Sequence, residues 1–192
     1  NLSSALTYYL QAYKLAQKIG DELMVGTVLF NIATIYIHQN NSEKALPYLE
    51  QALDASYRLA DAGTYVLSLN TLSEVYADKQ EYEKAREYLE QALAYTKEKG
   101  MKRSEGETYS VLANLYHKKG EYEKAIDALL KDYAIQIELN NEQGIMDVYH
   151  ALGEAYAKLG RKNEALANFQ KGLPIAQKIN LPEYILNFYG SL

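Results

Sequence analysis

Two stretches decide the fold of this chain, EKALPYLEQAL at residues 43–53 and EKAREYLEQAL at residues 83–93. They agree at nine of eleven positions, and the second begins at Glu83 where the first begins at Glu43. Fainter copies follow at the same interval, as EKAIDALLKDY at 123–133 and NEALANFQKGL at 163–173. A fixed period of forty positions is typical of repeat architectures, in which each unit packs on the next because it cannot bury its apolar face alone.

Columns of similar residues appear when the chain is aligned on this period. A column of small residues holds Ala33, Ser73, Ala113 and Gly153. A tyrosine column follows three positions later, with Tyr36, Tyr76, Tyr116 and Tyr156. These spacings put the side chains on one face of a helix, which we name helix A of each repeat. A second face, helix B, carries Ala45, Ala85, Ala125 and Ala165, then Leu49, Leu89, Leu129 and Phe169.

Short polar turns separate the two helices of each repeat, at Asn40-Asn41, Gln80-Glu81, Gly120-Glu121 and Gly160-Arg161. The positions after helix B are Gly20, Ala60, Gly100, Asn140 and Asn180. Four of these five are glycine or asparagine, which tolerate the left-handed conformation that closes a helix. Pro182 stands where the next helix should begin, a favourable place for proline. The pattern therefore predicts antiparallel helix pairs stacked into an all-α solenoid.

Composition excludes several classes of function. The net charge of −5 argues against nucleic-acid binding, which usually needs a basic face. The chain has no cysteine, so disulfides and thiolate metal sites are excluded. No apolar run approaches the roughly 18 residues that a membrane-spanning helix needs. No HExxH, GxSxG or glycine-rich phosphate loop occurs. We therefore expect no membrane span by this segment, no catalytic residues, no metal and no cofactor.

The pattern Leu69-x2-Leu72-Ser73-x2-Tyr76, followed by Ala85-x3-Leu89-x2-Ala92, resembles the signature of the tetratricopeptide repeat. The resemblance implies a right-handed α-α superhelix of antiparallel helix pairs, forming a single array over residues 1–192. Its expected parts are a half repeat 1–20, full repeats 22–60, 62–100, 102–140 and 142–180, and a truncated helix 182–192. Because both ends cut through a repeat, we expect the chain to be a piece of a longer protein. Its period is longer than the roughly 34 residues of the commonest form of this repeat.

Long repeats of this kind are similar to those of kinesin light chains, of polarity adaptors with GoLoco motifs, and of bacterial sensor and quorum-sensing regulators. The resemblance implies a non-enzymatic scaffold that binds a protein or peptide segment. We expect it to be the sensing or docking region of a larger bacterial signalling or regulatory protein. The expected compartment is the cytoplasm, or the periplasm if the chain is part of a membrane sensor.

In such arrays helix A lines the concave side, so the resemblance also implies a peptide-binding groove. Its expected residues are Asn31, Thr34, Asn70, Glu74, Asp78, Ser110, Asn114, His117, Lys118, His150, Glu154 and Lys158. The amides at 31, 70 and 114 can pair with a peptide backbone; the alternative is that they are solvated or bridge helices. Acidic residues here, together with Glu107 and Asp147, favour a partner with some positive charge, unless they form a solvated face.

Two features leave alternatives open. Asp132 and Gly172 stand in the helix B column that holds Ala52 and Ala92, and a carboxylate there costs stability unless it is hydrogen-bonded or reaches water. The chain ends carry apolar residues that have lost their neighbouring helix: Leu6, Leu10, Tyr13, Tyr189 and Leu192. Uncovered ends of this kind favour end-to-end or dimeric self-association, which is the alternative to a ligand-binding groove.

Overall fold

A computed structural model describes the backbone of residues 2–191 and their side chains except those at positions 3, 183, 187, 189 and 191. The described residues form ten α-helices joined by short turns. In chain order these are α1 (Leu2–Ile19), α2 (Glu22–His38), α3 (Ser42–Arg58), α4 (Ala62–Asp78), α5 (Tyr82–Glu98), α6 (Lys102–Lys119), α7 (Tyr122–Glu138), α8 (Glu142–Lys158), α9 (Lys162–Lys178) and α10 (Pro182–Ser191). The predicted all-α solenoid of paired helices is confirmed.

One backbone turn closes every helix from α1 to α9. Its central residue is left-handed, with φ between 51° and 79°, at Gly20, Asn40, Ala60, Gln80, Gly100, Gly120, Asn140, Gly160 and Asn180. At the first turn the Gly20 amide donates to Gln17 O at 3.3 Å and the Asp21 amide to Ala16 O at 3.0 Å. This pair of bonds defines the Schellman motif, and it recurs at all nine turns. The turn therefore recurs at half of the period seen in the sequence.

The residue after the left-handed position starts the next helix. Asp21, Asn41 and Asp61 each accept a hydrogen bond from the amide three residues later, at 2.9, 3.3 and 3.1 Å. Such side-chain caps satisfy an amide that has no partner inside the helix. The same short turn thus ends one helix and begins another, which keeps the helices from α1 to α9 close to equal length.

The chain divides into two compact units, Asn1–Ala92 and Leu93–Leu192, with the boundary inside α5. In the first unit, α2 packs on α1 and α3, and α4 packs on α3. Its core is built from the predicted columns, and Ile32, Ala33, Leu49, Ala52, Leu69 and Leu72 have no exposed surface. In the second unit, α6 to α10 pack each on the next in the same manner.

The small column and the helix B column are complementary in size. In the fourth repeat Gly153 replaces the usual alanine, and the large ring of Phe169 replaces the usual leucine. A Cβ atom at Gly153 would lie 2.3 Å from Cε1 of Phe169. Gly172 and Phe188 repeat the exchange, since a Cβ at Gly172 would lie 2.4 Å from Cζ of Phe188. A larger side chain on one helix is therefore accommodated by a glycine on its neighbour.

The tyrosine column packs at the seam between helices A and B. Tyr36 stacks on Tyr48 and Tyr76 on Tyr88, both with ring centroids 5.6 Å apart. Lysine Nζ atoms of helix B lie over these rings, and that of Lys84 is 3.9 Å from the centre of Tyr76. Ring stacking and cation–π contact add to the burial of apolar surface.

The first helix is only partly covered. Leu6, Leu10 and Tyr13 are half-buried, as expected for a helix whose main packing partner is α2. Its outer face is open, with Tyr8 at 70% and Ile19 at 62% exposure. The corresponding expectations for the side chain of Tyr189 and for Leu192 fall outside the described residues. No helix within residues 2–191 combines the length and apolar character needed to cross a membrane.

Ala60 is a position where glycine should be better than the natural residue. An L-side chain in the left-handed region costs about 1 kcal/mol, so Ala60→Gly should raise the free energy of unfolding by up to about 1 kcal/mol. The matched control is Ala94→Gly at an exposed site inside α5, where glycine should lower stability by about 1 kcal/mol. Urea denaturation of the three proteins measures both changes, and a loss of stability in Ala60→Gly would contradict the argument.

The size exchange in the fourth repeat predicts a rescue. Gly153→Ala alone should lower the free energy of unfolding by about 1–3 kcal/mol, because the new methyl group overlaps the Phe169 ring. Adding Phe169→Leu gives the alanine–leucine combination found in the first and third repeats, so the double variant should lose less than the two single variants together. A double-mutant cycle by denaturation measures the coupling. Simple additivity of the two losses would show that the two positions do not share space.

Candidate functional site

The predicted groove residues fall in both units. In the first unit Asn31 and Thr34 on α2 are half-buried, while Glu74 and Asp78 on α4 are exposed. The Thr34 hydroxyl donates a hydrogen bond of 3.0 Å to Phe30 O, the backbone carbonyl one turn earlier in the same helix. Asn70 is only 7% exposed, which favours the role of a packed amide over that of a peptide clamp.

The second unit holds a cleft between two A helices. Helices α6 and α8 form its walls and α7 forms its floor, so we name it the α6–α8 cleft. A stripe along α7 provides the floor residues Ala125, Leu129, Asp132 and Gln136, which follow one another at spacings of four, three and four. The floor changes along α7 from apolar to polar, and this divides the cleft into two pockets.

The first pocket, which we name the alanine pocket, has a volume of about 300 Å³. Four predicted groove residues line it: Ser110, Asn114, His117 and Glu154. Beneath them lie Ala113, Ala125, Leu129, Ala151 and Ala155. Sequence reasoning assigned the polar rim, but it placed Ala113, Ala125 and Leu129 only in the helix-packing columns.

The second pocket, which we name the acidic pocket, has a volume of about 320 Å³ and shares Ser110 with the first. Its other lining residues are Arg103, Glu107, Asp132, Gln136, Asn141, Gln143, Gly144 and Asp147. The sequence analysis named Glu107 and Asp147 as acidic groove residues and Asp132 as a carboxylate in a helix-packing column. It did not predict that the three lie in one pocket. The signal that could have done so is the polar pair at 132 and 136 in helix B columns that otherwise hold small residues.

Asp132 is hydrogen-bonded, which is one of the two ways in which a carboxylate in this column avoids a large cost in stability. The side chain is only 3% exposed, and Gln136 Nε2 donates a hydrogen bond of 2.8 Å to its Oδ1. Asn141 Nδ2 donates in turn to Gln136 Oε1 at 2.7 Å. Burial raises the pKa of Asp132 to about 6; the charges of Asp147 and Glu107 act in the same direction and the Gln136 bond opposes them.

The pKa of Asp147, on the α8 wall, is also shifted. Burial raises its pKa above the ordinary value, although a hydrogen bond with Tyr184 and the proximity of His150 oppose the shift. Its Oδ1 atom is buried and finds no hydrogen-bond partner among the described residues. The acidic pocket therefore contains two carboxylates that are costly to ionise unless a positive group approaches.

The two groove histidines lie in different surroundings. His117 borders the alanine pocket and contacts the edge of Tyr122, with ring centroids 5.2 Å apart. His150 packs among aromatic rings, with the Phe188 centroid 5.3 Å away, and its Nδ1 is 3.8 Å from Glu154 Oε2. Lys118 and Lys158 are exposed at the ends of α6 and α8. Within residues 2–191, no three histidine or carboxylate side chains converge in a way that would hold a metal ion.

Comparison with known proteins identifies the class of this chain. The family model described as Tetratricopeptide repeat matches residues 1–58, 64–138 and 104–178, so the chain belongs to the tetratricopeptide repeat family. The class is in general a non-catalytic fold for protein interaction. A comparison by sequence with curated proteins finds no match.

Several solved structures resemble the chain at low sequence identity. BtubC of P. vanneervenii is 19% identical with a TM-score of 0.83, over 100% of this chain and 83% of that one. A Rap protein in complex with Competence and Sporulation Factor is 22% identical with a TM-score of 0.86, over 98% of this chain and 53% of that one. The Pyrococcus horikoshii Signal Transduction ATPase with Numerous Domains, which has a tetratricopeptide repeat sensor, is 20% identical with a TM-score of 0.73. This chain is covered over its whole length and spans 33% of that protein.

The raised pKa of Asp132 predicts how stability depends on pH. Since the folded state binds the proton more tightly than the unfolded state, the contribution of this group to stability is largest near pH 4. It is lost as the pH rises through about 6. A difference of this size between the folded and unfolded pKa corresponds to about 3 kcal/mol. Asp132→Asn should therefore gain stability relative to the natural chain, by up to about 3 kcal/mol, between pH 4 and pH 7.

Denaturation by urea at several pH values measures this difference. Titrations elsewhere are shared by both proteins and cancel in the comparison. The matched control is Asp127→Asn, which removes an exposed carboxylate from the same helix and should give a much smaller change. A stability difference between Asp132→Asn and the natural chain that stays constant with pH would show that Asp132 ionises normally.

Proposed function

We propose that this chain is a non-enzymatic scaffold that binds a peptide or protein segment on its helix A surfaces, with the α6–α8 cleft as the main binding surface. The observation that carries the proposal is the construction of that cleft. Polar side chains of two A helices stand over a floor of small residues, which leaves room for a ligand and offers it hydrogen bonds. Concave sites with an apolar floor and a few polar groups are the usual form of ligand pockets.

The exposed amide of Asn114 is well placed for this role. An asparagine side chain offers a donor and an acceptor and so matches the backbone of an extended peptide. Glu154 stands on the facing helix and lines the same pocket. The pair can hold a segment from two sides. In the first unit, Asn31 and Thr34 on α2 are proposed as contacts of a separate, weaker binding surface, with Glu74 and Asp78 adding negative charge on α4.

We further propose that the chain is the sensing or docking region of a larger bacterial signalling protein. Two structural neighbours support this place in a larger protein. The Rap protein was solved in complex with Competence and Sporulation Factor, and the Signal Transduction ATPase uses a tetratricopeptide repeat as its sensor. This chain matches about half of the first and a third of the second.

A second candidate function is self-association through the ends. Tyr8, Leu15 and Ile19 on α1 and Leu23 on α2 are between 54% and 70% exposed, and in the other unit Leu186 on α10 is 71% exposed. Large apolar side chains in such positions favour contact with another protein surface. In this alternative the chain contacts other parts of the same protein or further copies of itself.

Selection from a random hexapeptide library displayed on phage tests the proposal. The immobilised natural chain should enrich a set of peptides. The variant Asn114→Ala/Glu154→Ala should lower that enrichment roughly tenfold, because it removes two side-chain hydrogen-bonding groups. The matched control is Gln170→Ala/Asp127→Ala, which removes one amide and one carboxylate from exposed positions of the B helices and should bind like the natural chain.

Other outcomes separate the alternatives. Equal enrichment by the cleft variant would place the binding surface on the B helices or the ends. Failure of the natural chain to enrich any peptide, together with a mass in sedimentation that rises with concentration, would favour self-association instead.

A further inference from the structure

The alanine pocket has the form of a socket for one apolar side chain. Its apolar lining combines methyl groups of Ala113, Ala125, Ala151 and Ala155 with the side chain of Leu129. Short side chains leave an apolar depression between α6 and α8, and their methyl groups offer no hydrogen bond. An aliphatic or aromatic group that enters this space gains free energy by leaving water. The polar groups of Asn114 and Glu154 stay at the rim, where a ligand backbone would pass.

The acidic pocket has opposite chemistry. It presents the carboxylates of Glu107, Asp132 and Asp147 against the guanidinium of Arg103 among its lining residues. The buried Oδ1 of Asp147 has no hydrogen-bond partner within the described part of the chain. A positively charged group in the pocket would offset the cost of ionising the buried carboxylates.

Asp132 is not needed for packing. The same column holds Ala52 and Ala92, which are fully buried and pack without any polar partner. Space for the polar pair at 132 and 136 depends on glycines of the walls. A Cβ at Gly144 would lie 2.3 Å from Gln136 Oε1, and one at Gly106 would lie 2.9 Å from Asp132 Oδ1. A buried carboxylate that costs stability and faces a cavity is a feature of binding sites rather than of cores.

The distance between the pockets sets the spacing of a ligand. Glu107 and Asn114 are seven positions apart on α6, a rise of about 10 Å along the helix axis. An extended peptide advances about 3.3 Å per residue, so about three residues bridge the two pockets. Ser110 lines both pockets, so the cleft is continuous between them.

We propose that the α6–α8 cleft recognises an extended peptide segment in which a basic side chain lies about three residues from an apolar one. The basic group, arginine or lysine, enters the acidic pocket between Glu107 and Asp147. The apolar side chain enters the alanine pocket. This inference rests on the proposed function and specifies the chemistry of the segment that the scaffold binds.

Titration of the ¹⁵N-labelled chain with short synthetic peptides tests the inference. The probes are acetyl-Gly-Arg-Ser-Ser-Leu-Gly-amide and the reverse order acetyl-Gly-Leu-Ser-Ser-Arg-Gly-amide, since either chain direction fits the cleft. At least one should shift the amide signals of Gly144 and Asn114. Replacing its arginine with citrulline, which has the same shape without charge, should weaken binding about tenfold. Replacing leucine with alanine should weaken binding by a similar factor.

Variants of the protein test the same two contacts from the other side of the complex. Glu107→Gln/Asp147→Asn should weaken binding of the arginine peptide about tenfold and leave the citrulline peptide unchanged. Ala151→Leu, which fills the alanine pocket, should remove the preference for leucine over alanine. Because the citrulline comparison alters only the ligand, it does not depend on whether these variants fold.

Three results would overturn the inference: citrulline and arginine peptides that bind equally, a double variant that weakens both alike, or no binding of either peptide order. If the phage selection still yields peptides that depend on Asn114 and Glu154, the proposed function stands and only this specificity fails. If that selection also fails, both proposals fail.

Discussion

The left-handed turn that follows each helix from α1 to α9 is the constraint on which the rest of the structure depends. Each turn uses two backbone hydrogen bonds to stop one helix and, one residue later, allows the next to begin. Equal helix lengths follow, so columns that are one period apart in sequence occupy equivalent places in their repeats. Seven of the nine turn residues are glycine or asparagine, the residues that tolerate positive φ at least cost. The two exceptions, Ala60 and Gln80, carry the cost of a side chain in this conformation.

Where helices pack on each other, a larger side chain on one helix is matched by a smaller one on its neighbour. Alanine or serine is paired with leucine in the first three repeats, whereas glycine faces phenylalanine in the fourth, as with Gly153 and Phe169. Such exchanges keep the interior filled, because close packing tolerates neither overlap nor voids. They also explain why the repeats diverge in sequence while the helices keep their arrangement.

In the α6–α8 cleft, two positions of the packing columns carry polar side chains instead of small ones. At positions 132 and 136 the floor carries a carboxylate and an amide in columns where other repeats carry small residues. The glycines at 106 and 144 make room for them, as Gly153 makes room for a ring, but here the result is a hydrogen-bonded network beside a cavity. A tetratricopeptide repeat array can thus acquire a buried polar network at one place without disturbing the turns that define its frame.

The helices, their pairing and their period could be predicted from sequence, because helical spacing and turn residues are local properties. The same spacing assigned Ser110, Asn114, His117 and Glu154 to one face, and they line one pocket; their role in binding stays a prediction. The spacing could not predict how deeply each side chain is buried. Asn70 and Asp132 are almost wholly covered, while His150 packs among rings that come from α9 and α10.

The sequence by itself determined which residues share a helical face and where each helix ends. Only the tertiary structure decided how deeply each side chain lies and which charges meet. Periodicity reports direction around a helix axis, whereas depth depends on side chains that arrive from neighbouring helices. The acidic pocket is the clearest case, since Glu107, Asp132 and Asp147 come from three helices and are brought together only when α6, α7 and α8 pack.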